Sequence, residues 1–334
     1  MRRDRAFESR RRVRGRAASL TVTITVAGLI SAMLPAQASA TTLTKELDRS
    51  QLDEFTVDGA PGMLAWSVNT RAHPDRSDSY VKFDGQPRIQ INRPGSATSF
   101  VGTDGAAAVF SVVRREGDAD LELFDLTSMT RSDPPQGVNT PGMENWPSIS
   151  GDWLLFVRDD SNVAAYGRAR LRMILFNLQT GEERVLADLP AFVSLLETGQ
   201  VNGDWATWIT CGLGDTEGAA SDCQVYRYRI SLDRTVRIPN PGKQQFGSMV
   251  TSDGTLYFTR NRTKAAWVCG LNARIVRYPV GGPAEVIAFV PNGFAALWGR
   301  AVTQTDGSVT LHMYQLPCTF NPGGIYELEH ADTA

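Results

Sequence analysis

The sequence predicts an all-β protein, namely a six-bladed β-propeller of four-stranded antiparallel blades. Three observations predict it: a turn motif that recurs about every fifty residues, an aromatic residue that recurs in step with it, and short apolar runs between turn residues in each period. Four strands in a repeat of this length are typical of propeller blades. One such unit cannot bury both faces of its sheet, so the units must stack around an axis.

The first recurring feature is an Asp beside a Gly. This pair suits a tight hairpin, because Gly accepts positive φ and Asp bonds nearby backbone. An apolar strand follows each pair, and the Asp residues lie 46, 48, 52, 49 and 53 positions apart. The pairs are Asp58-Gly59, Asp104-Gly105, Gly151-Asp152, Gly203-Asp204, Asp253-Gly254 and Asp306-Gly307.

The second recurring feature is an aromatic residue near the end of the third strand in each period. Its members lie 41, 52, 52, 50 and 48 positions apart, so the two series keep step along the chain. The members are Phe83, Phe124, Phe176, Tyr228, Tyr278 and Tyr326. Within each period the order is therefore strand A, a turn, strand B, a long variable loop, strand C, a short turn and strand D.

These series place a single propeller domain at residues 41–334. The last blade lacks a fourth strand in the sequence, and an open sheet edge is normally avoided. We expect the N-terminal strand 41–47 to close that blade. The blades are predicted at approximately residues 52–95, 96–142, 143–192, 193–241, 242–292 and 293–330.

The repeat units resemble the WD40-like repeats of the TolB family. The motif is an Asp-Gly turn, an apolar strand with a central aromatic, and a later aromatic-Asp-Leu segment, as in SDGTLYFTR, SGDWLLFVR and LELFDL. The resemblance covers roughly residues 52–330. It implies a six-bladed propeller of the bacterial cell envelope. The separate N-terminal α/β domain of that family is not expected here.

The first forty residues have the build of a secretory signal peptide. Eight arginines precede an apolar run from Ala18 to Leu34, and Ala38-Ser39-Ala40 provides a cleavage site. The alternative is an uncleaved membrane anchor. We predict cleavage after Ala40, and a secreted, extracytoplasmic protein without a membrane span. Whether export follows the Sec or the Tat route stays open.

Charge argues against a nucleic-acid partner. Without the eight arginines and two acidic residues of the signal, 26 basic and 34 acidic side chains remain, a net charge near −8. Nonspecific binding to nucleic acid relies on dense Lys/Arg contacts to phosphate.

The four cysteines predict disulfides, because an even number in an exported chain favours pairing. Cys211 and Cys223 bracket the B–C loop of the fourth blade. Cys269 and Cys318 hold comparable positions in the next two blades. We expect the pairs Cys211–Cys223 and Cys269–Cys318, with unpaired thiols as the alternative.

Candidate binding residues come from the B–C and D–A segments, because long loops on a rigid scaffold are where sites are built. Aromatic residues just before strand A could form a stacking platform, or plug the mouth of the central channel as packing. Charged B–C residues could hold an anion or a Ca²⁺ ion, or be ordinary solvated loops. The candidates are Trp146, Phe246, Trp298, Arg158, Asp159, Asp160, Arg260 and Arg262.

No catalytic motif is present: the sequence lacks a G-x-S-x-G elbow, an H-E-x-x-H motif and a Walker loop, and its three histidines are too few for a metal cluster. We therefore expect a monomeric, non-enzymatic binding module without a cofactor, whose partner is a protein or glycan of the envelope or extracellular space. Two alternatives remain. One is a carboxylate- or Ca²⁺-dependent propeller hydrolase, lactonase or lyase, and the other is a structural member of a cell-envelope complex.

Overall fold

The computed structural model describes residues 45–46, 53–70, 73–115, 118–164, 168–213, 220–240, 244–261, 273–289, 294–317 and 324–328. Within these ranges the regular structure is β-strand, apart from one 3-10 turn at Ile230–Leu232. The prediction of an all-β, antiparallel chain is confirmed. The predicted signal peptide, residues 1–40, lies outside the described residues.

The strands follow one another in short meanders. In chain order they are β1 (Lys45–Glu46), β2 (Asp53–Ala60), β3 (Met63–Thr70), β4 (His73–Phe83), β5 (Ile89–Gln90), β6 (Ala97–Thr103), β7 (Ala107–Arg115), β8 (Asp118–Asp125), β9 (Thr130–Ser132), β10 (Met143–Ser150), β11 (Trp153–Asp159), β12 (Arg170–Asn177), β13 (Glu183–Pro190), β14 (Ser194–Asn202), β15 (Trp205–Leu213), β16 (Ala220–Arg229), β17 (Arg234–Arg237), β18 (Gln245–Val250), β19 (Leu256–Arg260), β20 (Arg274–Tyr278), β21 (Glu285–Phe289), β22 (Phe294–Thr303), β23 (Val309–Pro317) and β24 (Gly324–Leu328).

The strands form four sheets of four strands and one of eight. The four-stranded sheets have the orders β2-β3-β4-β5, β14-β15-β16-β17, β18-β19-β20-β21 and β1-β24-β23-β22. The larger sheet contains two meanders, β6–β9 and β10–β13, which meet at a single parallel pairing of Met143 with Ala119. Below, "unit" means one of the six groups of strands β2–β5, β6–β9, β10–β13, β14–β17, β18–β21 and β22–β24 with β1.

The first strands of successive units lie side by side. β2 contacts β6, β6 contacts β10, and the contacts continue through β14 and β18 to β22, which contacts β2. These strands therefore enclose a common centre, and residues of these strands and of their hairpins line the two cavities described below.

The core lies between neighbouring units. Each cluster of buried apolar side chains joins two successive units in the described part of the chain. One of them packs Trp66 and Val68 of the first unit against Tyr314 of the last. The predicted aromatic series falls in the third strand of every unit, and Phe124, Phe176 and Tyr228 are almost completely buried.

The strand β1 pairs with β24, Lys45 opposite Glu327 and Glu46 opposite Tyr326. Closure of the last sheet by an N-terminal strand is thus seen at these two residues. The rest of the predicted 41–47 strand lies outside the described residues. In the described ranges, no helix has the length and hydropathy needed to cross a membrane.

One predicted turn is wrong. Asp58-Gly59 lies inside β2, and the hairpin is made by Pro61 and Gly62, which has φ 71°. Pro followed by a residue of positive φ suits a type II turn. Asp58 is buried, and its carboxylate accepts the N–H groups of Gly59 at 2.6 Å and Thr103 at 3.2 Å. The remaining five Asp/Gly pairs lie between the first and second strands of their units.

The predicted disulfide between Cys211 and Cys223 is present. It links the adjacent strands β15 and β16 across the base of their connecting loop, with Cα atoms 4.1 Å apart. Cys269 and Cys318 lie outside the described residues, so their pairing stays a prediction.

Candidate functional site

The first strand of every unit carries a β-bulge at a matched position. A bulge inserts extra residues opposite the partner strand and re-aims the local side chains. The register shifts between Phe55 and Val57 in β2, Ser99 and Val101 in β6, Asn145 and Ser148 in β10, Glu197 and Gln200 in β14, Phe246 and Met249 in β18, and Ala295 and Trp298 in β22.

Three bulge residues hold a backbone conformation that normally favours glycine. Thr56 has φ 54°, Phe100 has φ 44° and Trp146 has φ 55°, whereas β18 has Gly247 at φ 54°. A non-glycine residue in this region costs about 1–3 kcal/mol, and such strain concentrates at binding sites and switch regions. The cost is carried here by a β-branched residue and two large aromatics, all of which border the same pocket.

We call this the bulge pocket. It holds about 390 Å³ of open space at the centre of the first strands. This figure includes open solvent at the mouth, so the enclosed space is smaller than a typical ligand pocket and suits at most one side chain or ring of a larger partner. Phe100 and Trp146 form a tilted pair with ring centroids 3.6 Å apart. The lining residues are Thr56, Val57, Asp58, Phe100, Val101, Trp146, Pro147, Ser148, Gly199, Gln200 and Gly299.

Two polar groups in the pocket wall lack a hydrogen-bond partner. Thr56 is 7% exposed and Gln200 is 2% exposed, yet Oγ1 of Thr56 and Nε2 of Gln200 have no partner among the described residues. The other amide atom of Gln200, Oε1, accepts the N–H of Val250 at 2.9 Å and fixes the side chain. A buried polar group without a partner costs about 1–3 kcal/mol. The pocket therefore offers two hydrogen-bonding groups that a bound molecule can satisfy.

An ion pair adjoins the bulge pocket, because Asp58 lines the pocket and pairs with Arg300. Nε of Arg300 lies 3.3 Å from Oδ1 of Asp58, and Nη1 donates to Oγ of Ser148 and to the carbonyl of Val201, both at 3.1 Å. Arg300 thus joins β22 to β2, β10 and β14, which are the first strands of four units. Its guanidinium therefore stabilises the packing of these strands at the centre of the fold.

Burial raises the pKa of Asp58 to about 6, against the positive charge of Arg300 and the two N–H groups, which lower it. Asp104 adds a smaller upward effect on this pKa. A carboxyl group with a pKa near neutrality can exchange a proton under physiological conditions. The site therefore contains a titratable group, a tilted aromatic pair and two unpartnered polar atoms.

Comparison with known proteins identifies the fold. No family model and no curated protein matches the chain. Among solved structures it matches a protein of unknown function from Dyadobacter fermentans at a TM-score of 0.54 and 10% identity, over 85% of this chain and 97% of that one. It also matches a protein assigned as TolB from Agrobacterium tumefaciens at a TM-score of 0.52 and 14% identity, over 86% and 91% of the two chains. The fold is that of a TolB-like β-propeller.

Other propellers with this likeness belong to proteins of several kinds. The chain matches the tricorn protease at a TM-score of 0.48 and 11% identity, over 86% of its own length and 31% of that chain. Oligogalacturonate lyases and an acylaminoacyl peptidase are among the further matches. At these identities the TolB-like likeness shows the fold alone.

The structure places two of the three predicted platform aromatics, Trp146 and Phe246, in different surroundings. Trp146 is half-buried and lines the bulge pocket. Phe246 is buried in the core beside Ile209 and Val250 and is not among the residues that line this pocket. The backbone of Trp298 lies in β22, but its side chain is outside what the structure describes. Of the predicted platform, the structure places Trp146 at the pocket, where Phe100 joins it.

The charged candidates of the third blade serve contacts within the chain. Arg158 is buried and donates through Nε to Glu144, through Nη1 to Glu183, and through Nη2 to two backbone carbonyls. Asp159 accepts the N–H of Ser161, and Asp160 accepts the backbone N–H of Arg170. These contacts argue against a ligand role for Arg158, since each of its three nitrogens already has a partner.

The basic candidates of the fifth blade are only partly described. Arg260 is half-buried, lies with its guanidinium 5.2 Å from the ring centre of Phe258 and donates to the carbonyl of Pro239. Arg262 lies outside the described residues. Within the described ranges, no three His, Cys, Asp or Glu side chains come together in a way that could hold a metal ion. The Ca²⁺ interpretation of Asp159 and Asp160 therefore gains no support from their surroundings.

Sequence reasoning missed five residues of the site because it sought the site in loops; they are Thr56, Asp58, Phe100, Gln200 and Arg300. Two signals were available. Arg300 is a single charge inside the apolar strand FAALWGRAVT, and Asp58 belongs to a strand whose hairpin is already supplied by Pro61-Gly62. A charge placed within a buried strand needs a partner.

Proposed function

We propose that the protein is a secreted, non-enzymatic binding module, a six-bladed propeller that engages a protein or glycan partner through the bulge pocket. The observation that carries this proposal is the cluster of three strained non-glycine residues around two unpartnered polar atoms. Strain and unsatisfied polarity both lower stability, so their concentration at one pocket fits a binding role. The half-buried Trp146 offers an aromatic surface of the kind enriched at binding hot spots.

The remaining parts of this proposal rest on the chain's build. Six first strands in mutual contact support six blades. The Cys211–Cys223 disulfide supports an oxidising, extracytoplasmic compartment. The binding module acts as a monomer.

A crosslinked pull-down from the native cell surface tests the proposal. The bait is the wild-type protein, a Trp146→Leu variant and a Phe246→Leu control, which removes an aromatic ring of the core instead of one at the pocket. We expect a specific partner to be retained by wild type and control and lost by Trp146→Leu, with all three proteins showing the same far-ultraviolet circular dichroism and cooperative thermal unfolding. Equal capture by all three would show that the bulge pocket is not the binding surface.

A carboxylate enzyme is the second candidate, and one observation favours it. Asp58 borders the bulge pocket and has its pKa raised by burial to about 6, as a general acid or base would require. Three groups hold its carboxylate, however, and the described surroundings contain no second carboxyl group in the pocket lining. Hydrolysis or elimination of a pocket-bound glycan or lactone by wild type, lost in Asp58→Asn at unchanged partner affinity, would establish this candidate.

A further inference from the structure

A second cavity lies on the other side of the Arg300–Asp58 pair. We call it the turn cavity, because most of its wall is made where first strands end at their hairpins. It encloses about 500 Å³ of open space, including its mouth. Every unit contributes to the lining, which comprises Gly59, Ala60, Pro61, Asp104, Ser150, Asn202, Ser252, Arg300, Ala301, Val302 and Thr303. The bulge pocket is lined by residues that come earlier in the same strands.

The guanidinium of Arg300 is only partly used by the protein. Its Nε pairs with Asp58, and its Nη1 donates to Ser148 and Val201. Its Nη2 has no partner among the described residues, although the side chain is only 5% exposed. A planar guanidinium with an unused edge is suited to an oxyanion. This edge belongs to a residue that lines the turn cavity.

The rim adds hydrogen-bond donors. Oγ of Ser150 accepts the N–H of Gly203 at 3.0 Å, which leaves its own O–H available to donate. The exposed hydroxyl of Ser252 has no partner within the described residues. Asp104 is the acidic member of the wall, but both of its oxygens already accept backbone N–H groups, from Ala106, Ala107 and Gly151. The groups left over are therefore mainly donors.

We propose that the turn cavity binds the carboxylate of a small organic acid, held by Nη2 of Arg300 and the rim hydroxyls. A singly charged, planar oxyanion fits better than phosphate or sulfate, because Asp104 and Asp58 are close and repel a second negative charge. The inference goes beyond the proposed function, since the cavity is separate from the bulge pocket and its occupancy does not depend on a partner there.

Binding in the turn cavity is coupled to a proton on Asp58. The charged and titratable groups that face Asp58 are Arg300 of β22, Asp104 after β6, and the His312–Glu327 pair of β23 and β24, which lies behind Gly59. When Asp58 takes up a proton, the charge of Arg300 loses its counter-ion and attracts the ligand carboxylate. By linkage, the carboxylate binds more tightly at pH 5.5 than at pH 7.5, by roughly tenfold.

The test is a calorimetric titration of the purified protein with lactate, which stays ionised at both pH values, at constant ionic strength. We expect saturable binding at pH 5.5 and about tenfold weaker binding at pH 7.5. Sulfate should bind more weakly than lactate at either pH. No saturable lactate binding at pH 5.5, or an affinity that does not change with pH, would overturn the inference.

A charge variant with a matched control locates the site. Ser252→Asp adds a negative charge at the rim and should weaken lactate binding at least fivefold, by about 1 kcal/mol or more. Ser128→Asp adds the same charge to an exposed serine in the β8–β9 turn and should leave binding unchanged. Both positions are exposed, so both variants should fold. An equal effect of the two changes would mean that lactate responds to net charge alone.

Discussion

Arg300 and Asp58 form an ion pair at 3.3 Å between the last and the first unit of the chain. Both side chains are at least nine-tenths buried, and the pair lies between two cavities at the centre of the fold. Breaking a buried pair by removing one partner is costly because it leaves an uncompensated charge. The first two predictions concern this pair.

The free energy of unfolding should decrease as the pH rises from about 4 to about 6, because Asp58 loses its proton in this range. Its pKa is raised from 3.8 to about 6 in the folded state. Between these values the folded state binds more protons than the unfolded state, so the free energy of unfolding decreases as pH rises. The contribution of this group changes by about 3 kcal/mol. Urea denaturation of wild type and Asp58→Asn at pH 4 and 7 measures it. A constant difference between the two proteins would contradict the prediction.

Arg300→Met should destabilise the protein by roughly 3–5 kcal/mol at pH 7, because ionised Asp58 is left buried without a counter-charge. The loss should be smaller at pH 5, where Asp58 carries a proton. The double variant Asp58→Asn/Arg300→Met should recover part of the loss. Chemical denaturation of the four proteins in a double-mutant cycle gives the coupling energy. Additive effects of the two substitutions would show that the pair does not interact.

Thr56→Val should raise the free energy of unfolding by about 1 kcal/mol, because a methyl group replaces a buried hydroxyl that has no partner. The matched change Ser148→Ala should lower it by a similar amount or more. That hydroxyl accepts the N–H of Val201 and binds Nη1 of Arg300. Thermal unfolding distinguishes the two variants. If Thr56→Val proves destabilising, the Thr56 hydroxyl has a partner, such as a bound water.

Removal of the disulfide by Cys211→Ala/Cys223→Ala should lower the free energy of unfolding by about 3 kcal/mol, the value that the chain-entropy model gives for a loop of this length. The rate of proteolysis in the β15–β16 loop should rise as well. Denaturation of the double variant, with the reduced wild type as a control, measures the loss. Equal stability of the oxidised wild type and the variant would mean that the bridge does not constrain the unfolded chain.

The strand framework could be predicted from sequence because each unit repeats a local pattern. The aromatic series, from Phe83 to Tyr326, identified the third strand of every unit, and Cys211 and Cys223 identified a bridge between neighbouring strands. These features depend on residues that are close in the chain. Because neighbouring strands of a unit are also neighbours in the sequence, a pattern in a short stretch of sequence is enough to predict their pairing.

The centre of the fold could not be predicted in this way. The contact between Asp58 and Arg300 exists only because β2 and β22 meet when the ring closes. The sequence around one residue does not identify the other as its partner. The Asp58-Gly59 pair has the sequence of a tight turn but lies inside β2. Its buried carboxylate accepts the N–H of Thr103 and so makes a contact between two units. Trp146 was identified as an aromatic before a strand, whereas its partner Phe100 and the unpartnered Thr56 were not.

The pairing of β1 with β24 has a consequence in time. Strand β1 lies at residues 45–46 and its partner β24 at residues 324–328, so β1 cannot pair until the segment between them has been synthesised. At about 5–20 residues per second, synthesis of the intervening segment takes roughly 14–60 s. During this interval the first strand has no mate, and the ring of units cannot close. Closure of the ring is therefore among the last steps in the folding of the newly made chain.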